Sequence, residues 1–281
     1  MAERALKTWF DYRREVREFD AVLEYARAVS TSLVGKQIDS PRVSYAEQIF
    51  IKLLAHCIVL RRLSPDPAKK ARSELWDVPS SSAVARCAIE AHDAFAYVVG
   101  RNASDAERSF RLMLWEAHDK TRRIKMLDAI GSTASELAAM RATADEMLQK
   151  LQAHPLYQAL RRDLQRQIVK GDPPASHLSQ RELCAECGVD FEYYTAVTMQ
   201  LSQYVHTFPF SVRQLFMFRA GTLESLRMMS LPLQFVLPFL TRVTEGMREL
   251  FPGETPSPPS RTARSMTVWR SISAHGTKSA A

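Results

Sequence analysis

The sequence predicts an all-α protein, built as one multi-helix domain around a buried central helix. Only 9 glycines are spread over 281 residues. Apolar residues recur at the spacing of a helix, and no run alternates between apolar and polar residues as a half-buried strand does. One segment, residues 80–100, is apolar around most of its circumference, as expected of a buried helix. We therefore predict a helical domain over residues 1–250.

The first two helices are bounded by a glycine–proline loop and a proline-rich turn. We expect helix one over about residues 3–30, followed by a loop at Gly35–Pro41. Ser44 is placed to cap a second helix over 45–63, and the SPDP turn at 64–67 ends it.

The third helix, residues 79–100, is the predicted centre of the domain, with Pro79 in its first turn. Its apolar residues cover an arc of roughly 220°. The polar residues in the remaining gap are Arg86, Glu90, Asp93 and Tyr97. Because buried charges must be paired or placed at a site, we expect Arg86 and Glu90 to form a buried i, i+4 pair. Removal of one partner from a dry pair costs about 3–5 kcal/mol.

Glycine and proline separate the next helices. A helix over 104–130 ends at Gly131, and another follows over 133–153. Proline opens a further helix over 155–169, after which a loop occupies 170–177.

The remaining helices are signalled by caps. Ser179 and Glu182 have the spacing of a capping box for a short helix that Gly188 ends. Asp190 is placed to cap the helix after it. The last helices are expected over residues 191–206, 211–220 and 222–250.

The C-terminal segment and the overall charge set limits on function. Residues 251–281 are rich in proline and serine and lack a helical period, so they are predicted to be a disordered tail.

The formal charge of +7 permits weak association with nucleic acid or anionic lipid. The charged N-terminus lacks the apolar core of a secretory signal, and the apolar run over 228–240 is too short to span a bilayer. We therefore expect a cytoplasmic protein without a transmembrane segment, and four cysteines agree with a reducing compartment.

Two segments carry a resemblance to a family. SSSAVARCAIEAHDAFAYVV has a serine-rich start followed by Arg-x-x-x-Glu, and GVDFEYYTAVTMQLSQYVHTFP has Ser-x-x-x-His at a helix end before proline. Together they resemble an uncharacterised bacterial family of all-helical proteins. The resemblance implies a helical fold, brings no known reaction, and marks four positions: Arg86, Glu90, Ser202 and His206.

These four residues are the candidate catalytic residues, and two hypotheses stay open for them. Ser202 and His206 share a small polar arc of the predicted helix over 191–206. In the functional hypothesis Arg86 and Glu90 face them across an interface, and His206 titrates near neutrality. In the structural hypothesis Ser202 bonds a backbone carbonyl and His206 caps the end of its helix.

Arg86 and His92 also fit the Arg-x(4–6)-His motif of the HEPN-type ribonucleases, which are helical proteins. A second match lies at Arg111 and His118, and chance alone predicts matches of this kind in such a composition. Arg86 and His92 point about 120° apart, which places His92 in the apolar arc. We therefore predict His92 to be a core histidine and His206 to be the functional one.

The fourth helix offers a candidate nucleic-acid-binding face, on which basic residues and an aromatic residue share one arc. These residues are Arg108, Arg111, Trp115, His118, Arg122 and Lys125. Such a face can bind a phosphate backbone. The alternative is a solvated face whose charges pair with acids on a neighbouring helix.

The cysteines give little support for a metal site. Cys184-Ala-Glu-Cys187 is a single CxxC, which with His177 and His206 has the ligand types of a zinc site. Because a second cysteine pair is lacking, we predict no metal. Cys57 and Cys87 lie on apolar helices and are predicted to be core residues.

Two classes of function remain. The sequence has no Walker loop, no His-Glu-x-x-His, no Gly-x-Ser-x-Gly and no dinucleotide fingerprint, so no cofactor is predicted. The first class is an interaction or nucleic-acid-associated module in stress or phage defence, with RNA, a protein or a second copy as partner. The second is a HEPN-like ribonuclease using Arg86, Glu90 and His206. An enzyme requires these groups to converge within hydrogen-bonding reach, whereas an interaction protein does not.

Overall fold

A computed structural model of the chain describes residues 6–38, 40–66 and 76–276. Within these ranges it contains eleven α-helices, one turn of 3-10 helix and no β-strand, which confirms the predicted all-α class. The helices are α1 (Trp9–Ser32), α2 (Pro41–Leu63), α3 (Val78–Val99), α4 (Asp105–Ala129), α5 (Ala134–Ala153), α6 (Arg162–Val169), α7 (Gln180–Cys187), α8 (Phe191–Val205), α9 (Pro209–Met217), α10 (Leu223–Leu250) and α11 (Ser260–His275).

Local chemistry explains most of the helix starts. The predicted cap of α8 is present, with Asp190 accepting a hydrogen bond of 2.7 Å from the backbone amide of Tyr193. α2 begins earlier than predicted, because Pro41 occupies its first turn. The helix expected over 155–169 is divided into a 3-10 turn at Pro155–Tyr157 and α6.

The chain divides into two compact units. The first comprises residues 1–95 and 187–281, and the second comprises residues 96–186, so the boundary falls within α3. One domain over residues 1–250 was predicted, whereas the first unit also includes α11, which lies beyond residue 250.

In the first unit α10 is the central helix. It packs against α1, α2 and α11, and most of its inward positions are fully buried. α3 also lies against it, because a Cβ atom added at Gly246 would come within 2.7 Å of the Phe95 ring. The predicted central role of residues 80–100 is therefore taken by α10, while α3 buries one face that includes Ala85, Ala88 and Ile89.

The second unit is built on the pairing of α4 with α5, to which α6 and the 3-10 turn add. Its apolar core consists of Phe110, Leu114, Ala117, Leu148, Leu151 and Ile168. This core lies on the face of α4 opposite to part of the basic arc that the sequence analysis singled out.

The prediction of a disordered tail over 251–281 is wrong for residues 260–275, which form α11. Thr262, Met266, Trp269 and Ser273 follow a helical spacing and are buried against α1 and α10. The indole of Trp269 also donates a hydrogen bond to Glu18. The spacing was present in the sequence, but two of its four residues are small and polar, which hid the apolar stripe. The end of the predicted tail, residues 277–281, lies outside the described residues.

One described helix, α2, is long and apolar enough to cross a membrane by length and composition alone. Such a helix is weak evidence, because core helices pass the same test. The apolar residues of α2 include Phe50, Leu53 and Leu60, which are fully buried in the first unit.

Candidate functional site

The predicted pair on α3 is formed, but its two ends differ in exposure. Arg86 Nη2 lies 3.2 Å from Glu90 Oε1. The Arg86 side chain is 25% exposed, whereas that of Glu90 is 58% exposed. Glu90 therefore presents its carboxylate to solvent, and the pair lies at the surface of the first unit.

A hydrogen-bonded network lies on α3 next to this pair. The Tyr194 hydroxyl donates to Asp93 Oδ2 over 2.6 Å, and His92 Nδ1 lies 3.1 Å from the other oxygen of Asp93. Burial raises the pKa of Tyr194 well above its ordinary value, and the negative charge of Asp93 acts in the same direction. Tyr194 is therefore a protonated donor at neutral pH.

His92 itself is 3% exposed, and its ring packs edge-on against Phe239 with centroids 4.9 Å apart. This placement agrees with the expectation that His92 belongs to the core. Arg86 acts on the same network, because its positive charge opposes the rise in the pKa of Tyr194.

The histidine that approaches the Arg86–Glu90 pair is His56 of α2. Burial lowers the pKa of His56, the positive charge of Lys52 lowers it further, and Glu90 opposes both effects. His56 Nε2 and Arg86 Nη1 are both buried and make no hydrogen bond. Sequence reasoning missed His56, because the proximity of α2 to α3 is not visible in the period of either helix.

The positions of His206 and Glu90 can be compared along their two helices. Leu201 and Ser82 line one crevice, while Tyr194 contacts Asp93, so α8 and α3 run antiparallel. His206 is five residues beyond Leu201 in one direction, and Glu90 is eight beyond Ser82 in the other. At 1.5 Å per residue these positions are roughly 20 Å apart along the helices.

The position of His206 agrees with the structural hypothesis, because His206 is the C-terminal cap residue of α8. Its backbone amide donates to the Ser202 backbone carbonyl over 3.1 Å, which is an ordinary helical hydrogen bond. The His206 ring is exposed and lies beside Phe208.

A fully buried arginine, Arg111, lies in the second unit, where it pairs with two partly exposed glutamates, and we call this group the Arg111 centre. Its side chain is 1% exposed and is bound by Glu186 in a bidentate geometry of 2.9 and 2.6 Å. Glu107 binds the Arg111 Nε atom over 3.1 Å, and the Tyr97 ring covers the guanidinium carbon at 5.3 Å. All the donors of this guanidinium face acceptors of the protein, so no ligand anion can bind it without displacing a glutamate.

His177 packs beside Arg111 and contacts two of its aromatic neighbours. Its Nδ1 atom lies 3.0 Å from the Tyr97 hydroxyl, and its ring packs against Phe110. Burial lowers the pKa of His177, and the positive charge of Arg111 acts in the same direction. The Arg111 guanidinium is therefore enclosed by protein groups, while Glu107 and Glu186 keep part of their surface exposed.

The structure does not present the predicted nucleic-acid-binding residues of α4 as one exposed face. Arg111 is buried, and Arg108 is bound to the carbonyls of Gly100 and Arg101. Toward the end of α4, His118 donates to the Pro173 carbonyl. Trp115 is half-buried, and Arg122 and Lys125 share Asp172 at 3.4 and 2.8 Å.

The cysteines also lie differently from the prediction. Cys57 is buried as expected, but Cys87 is exposed. Cys184 is buried and Cys187 is half-buried. In the part of the chain that the structure describes, no group of three or more histidine, cysteine or acidic residues could hold a metal ion.

An apolar surface that the sequence analysis did not single out lies at the end of α8 and on α9. It consists of the exposed side chains of Val205, Phe208, Phe210, Val212, Phe216 and Met217, and we call it the α9 surface. Phe216 is 85% exposed and Met217 is 82% exposed.

Polar side chains, in contrast, face the interior of the first unit from α9. Ser211 is buried and donates to the Phe208 carbonyl, while Gln214 accepts a hydrogen bond from the Tyr204 hydroxyl. Positions 211 and 214 are three residues apart and therefore share one face of the helix. α9 therefore turns the polar Ser211 and Gln214 inward while Phe210, Phe216 and Met217 are exposed.

Comparisons with known proteins do not assign this chain to a family. No family matches the sequence, and no curated protein or solved structure is significantly similar to it. The resemblance to an uncharacterised helical family and to the HEPN ribonucleases therefore stays a prediction from the two motifs.

Proposed function

We propose that this protein is a non-catalytic interaction module that binds its partner through the α9 surface. The observation that carries this proposal is the exposure of Phe216 and Met217 on α9, a helix on which Ser211 is buried. The hydrophobic effect favours burial of large apolar side chains, and a cluster of exposed ones is typical of a binding surface. A role in stress or phage defence stays a hypothesis.

The arrangement of Arg111 and of the predicted catalytic residues supports this proposal. Arg111 is saturated by Glu107 and Glu186, and His206 is roughly 20 Å from Glu90 along the helices. The separation of His206 from Glu90 supports a function that does not need these two groups at one reacting atom.

Photo-cross-linking in cells tests the proposal. A photoreactive phenylalanine replaces Phe216, and the same residue at the similarly exposed Val34 is the matched control. We expect a discrete cross-linked adduct from position 216 that is absent from position 34, with mass spectrometry of the adduct to identify its chemical class. Equal labelling from both positions would mean that the α9 surface has no dedicated partner.

A second candidate function is RNA cleavage at the Arg86–Glu90 pair, with His56 in the place that the sequence analysis assigned to His206. The observation that favours it is that His56 Nε2 and Arg86 Nη1 are each buried without a hydrogen bond, while Glu90 pairs with Arg86 and its charge acts on His56. An imidazole and a guanidinium beside a carboxylate are groups that can transfer a proton and stabilise a phosphorane.

Cleavage of a labelled RNA by the full chain tests this candidate. His56→Gln is expected to abolish the activity, whereas His206→Ala, which alters an exposed histidine far from Glu90, is expected to leave it unchanged. Loss of activity in His206→Ala alone would restore the residue assignment made from the sequence.

A further inference from the structure

The α9 surface has a one-sided charge. Residues 193–223 contain no aspartate or glutamate, and the nearest carboxylates in the sequence are Glu192 and Glu224. Arg213 and Arg219 lie in this segment and are exposed. The formal charges carried by this stretch of chain are therefore all positive and stand among exposed aromatic side chains.

We infer that the occupant of the α9 surface is an anionic lipid bilayer, into which Phe216 and Met217 insert. This inference rests on the proposed function and names its partner. A short helix that combines outward aromatic and apolar side chains with arginines matches the chemistry of the interface between lipid headgroups and acyl chains. Insertion covers the apolar side chains, while Arg213 and Arg219 remain at the level of the anionic headgroups.

The exposure of Phe216 and Met217 favours a lipid bilayer over a folded protein as the partner. Phe216 and Met217 are almost fully exposed and project from the end of α9, with little of the protein packed beside them. A protein partner would need a preformed pocket for each projecting side chain. Acyl chains rearrange around any projecting apolar group and require no such complementarity.

A second copy of the chain is disfavoured by the same charges. A twofold contact places identical surfaces together, so Arg213 and Arg219 of one copy would face the same residues of the other. Without a carboxylate in the segment, this contact would bring like charges together.

The segment is anchored well enough to insert as it stands. Phe218, at the end of α9, packs edge-on against Trp76, and Trp76 packs against Trp9 of α1. Tyr204 binds Gln214 from the end of α8. Phe216 and Met217 can therefore enter a membrane without any loss of the contacts that hold α9 to the first unit.

Flotation of the full chain with lipid vesicles tests the inference. One vesicle type contains phosphatidylcholine alone, and the other contains phosphatidylcholine and phosphatidylglycerol in equal amounts. We expect flotation with the anionic vesicles, weaker flotation in high salt, and little with the neutral ones. The Phe216→Ser/Met217→Ser variant is expected to bind roughly tenfold or more weakly, since two apolar side chains no longer enter the hydrocarbon.

Two control variants make the result specific. Val34→Ser/Ile130→Ser removes two similarly exposed apolar residues elsewhere in the sequence and is expected to bind as the unchanged chain does. Arg213→Gln is expected to weaken binding roughly fivefold, and only to the anionic vesicles. Because all these side chains are exposed, circular dichroism melts should be unchanged.

The other outcomes overturn the inference in distinguishable ways. Absence of flotation together with a protein adduct at position 216 would exclude the lipid partner and leave the proposed function standing. A concentration-dependent dimer that Phe216→Ser/Met217→Ser abolishes would identify a second copy as the occupant. Absence of both flotation and any adduct would overturn the proposed function itself, and equal flotation of the double variant would place lipid binding elsewhere on the chain.

Discussion

Arg86 and Arg111 each pair with a glutamate four residues away on the same helix, yet their environments differ sharply. Arg86 pairs with Glu90, whose side chain is 58% exposed. Arg111 is 1% exposed and is held by Glu107 and Glu186. Local spacing is the same in the two cases. We therefore expect the cost of removing each arginine to differ because of desolvation and the second glutamate at Arg111.

The two arginines form a matched test. Arg111→Met is expected to destabilise the protein by about 3–5 kcal/mol, because it leaves the carboxylates of Glu107 and Glu186 without their positively charged partner. Arg86→Met is expected to cost less than about 1 kcal/mol, because Glu90 is solvated. Urea unfolding followed by circular dichroism measures both. Similar losses in the two variants would show that the Arg111 centre is open to solvent.

His177 is expected to make stability depend on pH. Its pKa in the folded protein lies below the ordinary value of 6.5, so the unfolded chain binds the proton more readily. The contribution of His177 to the free energy of unfolding is therefore fully present above about pH 6.5. It is lost as the pH decreases from there toward the lowered pKa. His56 contributes in the same direction.

Thermal melts between neutral and mildly acidic pH measure this effect. His177→Gln is expected to reduce the dependence of the melting temperature on pH, whereas His275→Gln, which alters an exposed residue, should leave it unchanged. An identical slope in His177→Gln and the unchanged chain would assign the dependence to other groups.

At the scale of the elements, the approach of α3 to α10 depends on one glycine. Gly246 has no Cβ, and the Phe95 ring occupies the space where one would lie, at 2.7 Å. Glycine lowers helix propensity by about 1 kcal/mol relative to alanine, so its presence inside α10 reflects packing rather than local preference.

Gly246→Ala is therefore expected to lower the free energy of unfolding, despite the higher helix propensity of alanine. Overpacking costs about 1–3 kcal/mol, which exceeds the gain in propensity over most of that range. In a Phe95→Leu background the same substitution should cost less, because the smaller side chain leaves room for the methyl group. Additive effects of the two substitutions would indicate that the residues do not contact each other.

At the scale of the whole molecule, the first unit is assembled from both ends of the chain. α1 and α11 pack against each other and against α10, although more than two hundred residues separate them in sequence. Trp269 of α11 is buried and bonds Glu18 of α1. The C-terminal helix therefore completes this core.

Truncation after residue 253 is expected to lower the melting temperature and broaden the transition, because it exposes the surfaces of α1 and α10 that α11 covers. Trp269→Ala alone should cost about 3–5 kcal/mol. Val268→Ala, which alters an exposed neighbour on α11, serves as the control. An unchanged transition in the truncated chain would mean that α11 adds nothing to the core.

Features that depend on a few consecutive residues could be predicted from the sequence. The all-α class, the cap at Asp190 and the pairing of Arg86 with Glu90 were all found where they were expected. The capping box of Ser179 and Glu182 is also formed. Helical period, capping chemistry and i, i+4 spacing are local, so these features do not require knowledge of the rest of the chain.

The tertiary structure alone decided which polar groups meet and which apolar groups are covered. It brought His56 within range of the charge of Glu90, brought Glu186 to Arg111 across 75 positions, and buried Trp269 in a segment predicted to be disordered. It also turned Phe216 toward solvent, which the hydrophobicity of the segment could not reveal. These outcomes follow from contacts between residues far apart in sequence, where burial of one helix face against another outweighs the preferences of each segment alone.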